Sequence, residues 1–109
     1  LLTQNYHWHI IPIMKASLIR HDKIIGELGN IIEITLWQLP RRSKDKPHEY
    51  KYSLVYIADG QRIVGYDNAE GKGDHKHIKG LSSLYAFTSL KKLAQDFYED
   101  IEKFKKGVL

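Results

Sequence analysis

A chain of 109 residues, 42% hydrophobic and 28% charged, has the make-up of one folded domain rather than a disordered segment or a multidomain array. It holds no cysteine, which excludes a disulfide framework and a cysteine-bound zinc and suits a reducing compartment. No apolar run approaches the ~20 residues of a membrane span, and the net charge of +4 suits nucleic acid or an acidic protein as partner without requiring either.

Residues 1–13 precede the first methionine, Met14, and carry neither the basic start nor the small-residue cleavage site of a signal peptide. They are expected to be an upstream extension, with one domain over residues 14–109. Their His7 and His9 form a His-x-His pair in that extension. A strand is expected over residues 15–20, and the glycines at 26 and 29 predict a turn or short irregular hairpin from His21 to Asn30. Residues 31–39 alternate, with Ile32, Ile34 and Leu36 on one face and Glu33, Thr35 and Trp37 on the other. Pro40 ends that run, because proline cannot continue a sheet ladder. The basic stretch from Arg41 to His48 has no apolar anchor and reads as a solvated loop.

Residues 49–58 alternate again, with Tyr50, Tyr52, Leu54 and Tyr56 on one face. Asp59-Gly60 is a hairpin turn signal. The returning strand, 61–67, places Arg62, Val64 and Tyr66 opposite Ile63, Gly65 and Asp67. A short further strand is expected at His75–Lys79. After Gly80 the period changes, and Leu90, Leu93, Ala94, Phe97, Ile101 and Phe104 recur at helical spacing. Thr88 or Ser89 is the expected N-cap, lysines fill the last turn, and Gly107 is the expected stop. The fold class is α+β: a curved antiparallel sheet of four to five strands packed against one long C-terminal helix.

The stretch from Gly65 to Gly80 holds four of the eight glycines and two of the six histidines. Gly71-Lys72-Gly73 is a turn whose backbone N–H groups can converge on an anion, with Lys72 adding a cation; it lacks the length of a Walker phosphate loop. His75 and His77, two apart on an extended segment, point to one side. Two such imidazoles serve either as metal ligands with Asp67 or Asp74, or as base and acid in phosphodiester cleavage. In RNA the 2′-hydroxyl is a built-in nucleophile, so histidines and cations suffice and no cofactor or metal is called for. Tyr66 could stack on a base, Asp67 could orient a histidine, and Arg41 and Arg42 could contact phosphates. Exposed histidines, a strand-end Asp-Asn turn and a solvated basic loop are the plainer readings of the same residues.

Ile31-Ile-Glu-Ile-Thr-Leu-Trp37, Tyr50-Lys-Tyr-Ser-Leu-Val-Tyr56, and Val64-Gly-Tyr-Asp-Asn68 followed by Gly71-Lys-Gly-Asp-His-Lys-His77 resemble the TumE family, small prokaryotic proteins regarded as toxins of type II toxin–antitoxin pairs. The resemblance runs from about Met14 to Lys106, and Phe87-Thr-Ser-Leu with Phe97-Tyr-Glu-Asp fits the family's closing helix. It implies a cytoplasmic toxin neutralised by a cognate antitoxin, typically a small helix-turn-helix protein, with no membrane partner and a homodimer left open. It does not fix the reaction. Three readings stand: a metal-independent endoribonuclease using His75, His77, Lys72 and Asp67, with Gly71, Gly73, Tyr66, Arg41 and Arg42 on the RNA; a non-catalytic module binding nucleic acid or antitoxin; and a metal-dependent nuclease.

Overall fold

Period-two alternation governs the middle of the chain, and each alternating run is hydrogen-bonded to the next. The computed structural model describes residues 16–109 apart from Asp45 and Glu70; the extension expected over 1–13, with its histidine pair, lies outside the described residues. Strands β1 (Ser17–Ile25), β2 (Ile31–Gln38), β3 (Tyr50–Ala58), β4 (Gln61–Asp67), β5 (His75–Ile78) and β6 (Leu81–Leu84) form one antiparallel sheet in sequence order. Helix α1 (Leu90–Lys105) closes the chain. None of the described helices is long and apolar enough to cross a membrane.

The α+β class holds, with six strands rather than four to five. The added strand is β6, and β1 is longer than expected. Pairing with β2 carries β1 through Ile25, and the turn is confined to residues 26–30, where Gly26 N–H donates to the Asn30 carbonyl (2.8 Å). Strand β6 exists because Lys79 (φ 48°) and Gly80 (φ 86°) both take left-handed backbone, the geometry of a tight hairpin, and turn the chain straight back on β5. Asp59 (φ 52°) and Gly60 (φ 73°) make the same kind of turn between β3 and β4, as their sequence predicts.

The register sorts the sheet into two faces. Ile34, Tyr52, Leu54, Tyr56, Val64 and Tyr66 share one face and are buried. Helix α1 lies over them, burying Leu93, Phe97 and Ile101, and Phe97 meets the Tyr66 ring edge-on at 6.2 Å between centroids. The tyrosine stripe of β3 is therefore core. Ser89 caps the helix by accepting from Lys92 N–H. At the other end Gly107 (φ 73°) donates to Phe104 and Val108 donates to Lys103, which closes the last turn on a left-handed residue.

The register shifts at two places among the described strands, between Leu18 and Arg20 in β1 and within β4. In β4, Tyr56 pairs with Val64 but Ile57 pairs with Arg62, so Ile63 is an extra residue, a β-bulge. Ile63 joins the core at 8% exposure, and Arg62 moves to the opposite face from the one its place in the alternation predicts.

Candidate active site

The face of the sheet away from α1 is where the polar residues of β4 and β5 collect. Backbone pairing puts Asp67 opposite His75 and Gly65 opposite His77, so all four positions share that face. Ser53 on β3 and Ser82 on β6 flank them. Together with Arg62 and Lys72 these side chains line an open cavity of about 350 Å³.

Hydrogen bonds fix the two imidazoles differently. His75 Nδ1 lies 2.9 Å from the Gly73 carbonyl. A carbonyl only accepts, so Nδ1 carries the hydrogen, and in the neutral ring Nε2 is the nitrogen with the lone pair. His77 Nε2 lies 3.1 Å from Asp67 Oδ2, and a carboxylate only accepts, so here Nε2 carries the hydrogen. Both rings are half-buried, and two strand steps set their Cα atoms roughly 7 Å apart. The structure brings His75, His77, Lys72 and Asp67 to one cavity. Gly71 (φ 70°) and Gly73 (φ 77°) both take the left-handed backbone that lets the loop turn tightly around Lys72, and Gly73 supplies the acceptor for His75.

Tyr66 does not belong to this group. It is 1% exposed on the helix side, and its hydroxyl donates to Asp100, which also accepts from Lys76 Nζ at 3.0 Å. Its ring is core and is closed to a base. Burial, then the bond to Asp100, pushes its phenol well above the usual range, so it stays a donor. Arg41 and Arg42 are exposed in the loop between β2 and β3 and do not line the cavity; Arg42 Nε bonds to Glu49 at 3.1 Å.

That loop has an anchor that its composition hides. His48 packs on the Phe87 ring at 4.0 Å between centroids, and its Nε2 donates to Asp74 at 3.0 Å. Asp74 also accepts from the Tyr52 hydroxyl at 2.7 Å, and burial, followed by this bond, holds that phenol protonated far beyond the usual range. Asp74 is thereby held by His48 and Tyr52 rather than by either site histidine. Among the described residues no group of three His, Cys, Asp or Glu is arranged to hold a metal ion.

Three contributors escaped the sequence reading. Arg62 reaches the cavity only through the bulge. His48 pins Asp74, and with it the loop carrying Lys72. Asn68, fully buried, accepts from Tyr52 N–H at 3.0 Å and donates to the Tyr50 carbonyl at 2.7 Å, continuing the β3–β4 ladder with its side chain one residue past Asp67. A lone histidine in a basic loop and an asparagine after a strand carry no signal of these contacts.

A family model described as Toxin TumE matches residues 6–105. No curated protein and no solved structure matches the chain.

Proposed function

The chain belongs to the toxin TumE family, and from that premise we propose that it is the toxin of a toxin–antitoxin pair and acts as a metal-independent endoribonuclease. The observation that carries the reading is the division of labour between the histidines: one imidazole with a bare Nε2, beside another paired to a carboxylate, on one open face. His75 Nε2 takes the proton of the ribose 2′-hydroxyl. The 2′-oxygen attacks phosphorus and the bond from phosphorus to the 5′-oxygen breaks. His77, held through Nε2 by Asp67, gives its Nδ1 proton to that leaving oxygen. Lys72 stabilises the added negative charge on the phosphorane. The products are a 2′,3′-cyclic phosphate and a 5′-hydroxyl. The toxin's partners are RNA and a neutralising antitoxin, of the helix-turn-helix type.

Growth arrest on induction tests the assignment of residues. His75→Ala and His77→Ala should each abolish arrest while leaving the melting temperature unchanged, since both side chains sit outside the core. Full toxicity in either variant contradicts these roles.

A further inference from the structure

We infer that Arg62 is the phosphate-holding residue of this cavity, delivered there by the β4 bulge, and that Gly65 is the seat it needs; the ligand is a nucleotide phosphate. Part of this rests on the reading above, since it names what the same cavity binds.

Three observations converge. First, pairing of Ile57 with Arg62, and of Tyr56 with Val64, turns Arg62 onto the face shared by Asp67, His75 and His77. A regular strand would put it on the helix face, beside Val64. Bulges commonly re-aim a side chain next to a functional site. Second, the side chain lies across Gly65. A Cβ built there would stand 3.3 Å from Arg62 Cδ, 3.5 Å from Nε and 3.6 Å from His77 Cβ. Gly65 is not among the residues with positive φ, so no backbone requirement explains a glycine in mid-strand; the room it leaves for Arg62 does. Third, the Arg62 guanidinium has no hydrogen bond or ion pair among the described residues, unlike those of Arg20 and Arg42, which bond to Asp22 and Glu49. Asp67, the carboxylate that lines the same cavity, is engaged by His77.

A fork of donors with no protein partner, beside a lysine and two imidazoles, matches the oxygens of a phosphate. Arginine takes such oxygens two at a time, which fixes orientation as well as charge. Lys72, on a loop, adds a point charge from the other side.

The test is binding, read by NMR titration with cytidine 3′-monophosphate and, separately, inorganic phosphate. The native chain should bind both, the nucleotide more tightly, with shifts at His75 and His77. Arg62→Ala should weaken both about tenfold or more, the scale of a lost bidentate charged contact. Arg62→Lys should recover part of that loss. Gly65→Ala should weaken binding severalfold with no fall in melting temperature, because the clash is with a flexible side chain. The double variant Arg62→Ala with Gly65→Ala should bind no worse than Arg62→Ala alone, since Gly65 acts through Arg62. The inference is overturned if the native chain binds neither probe, if Arg62→Ala binds as the native chain does, or if the two losses add. Its fate separates from that of the ribonuclease reading. Arginine-dependent binding without RNA cleavage sinks the reading alone; RNA cleavage with an unchanged KM in Arg62→Ala sinks the inference alone.

Discussion

In the proposed reaction His77 and Asp67 form the pair on which the chemistry turns, and their roles differ in kind. His77 would touch the leaving oxygen, whereas Asp67 acts through His77. Removing a proton-transfer group costs typically about 10²–10⁴-fold, so His77→Ala should lose cleavage on that scale. Asp67→Asn should lose less, because the amide oxygen can still accept from His77 Nε2–H, and Asp67→Ala should lose more than Asp67→Asn; equal rates in the two variants would contradict a positioning role for Asp67. On the back of the same strands, Asp100 carries a different load. It is 4% exposed, accepts from buried Tyr66 and pairs with Lys76. Asp100→Ala strands both donors and should cost about 3 kcal/mol in chemical denaturation without touching the cavity. At this scale the sequence was legible where spacing alone sets direction: His75 and His77 share a face because each strand step reverses the side chain. It was silent on Arg62, because one extra residue at Ile63 reverses the parity and nothing in Gln-Arg-Ile-Val announces the insertion.

Helix α1 was legible almost to its ends, because its stripe, its Ser89 cap and Gly107 all agree. Strand β6 was not, because Leu-Ser-Ser-Leu does not alternate and the turn before it asks a lysine to take left-handed backbone. The helix holds the sheet through Phe97, which is fully buried; Phe97→Ala should cost about 3–5 kcal/mol, read as a fall in the denaturation midpoint. Helix α1 and Tyr85, the residue just past β6, are tied through Asp96, and this tie sets an acid limit. Burial alone would raise the Asp96 pKa, but bonds from Lys92 Nζ (2.7 Å) and the Tyr85 hydroxyl (2.6 Å) outweigh it and leave the carboxyl below its ordinary 3.8. A depressed carboxyl favours the folded state above the unfolded value, and that contribution disappears as pH falls through the folded value. Melting temperature should therefore drop on acidification below about pH 4, and Tyr85→Phe should flatten the drop. A pH-independent difference between the two proteins would contradict this account of Asp96.

The whole molecule is a sheet with two unlike faces. One is closed by α1 over tyrosines and aliphatics; the other stays open and gathers histidines, cations and a carboxylate around the β4–β5 pair. The hairpin at Asp59-Gly60 and the tight turn at Lys79-Gly80 set the strands that carry them, while His48, Asp74 and Asn68 fix the loop between. On the proposed reading, this architecture presents a preorganised site on the surface, where a long RNA would reach it without any domain opening. The measurement that decides the central claim is end analysis of RNA incubated with the purified chain, with and without a strong chelator. The account predicts 2′,3′-cyclic phosphate and 5′-hydroxyl ends in both conditions, absent with His75→Ala and His77→Ala. Ends bearing a 5′-phosphate, cleavage that the chelator stops, or no cleavage of free or ribosome-bound RNA would contradict it.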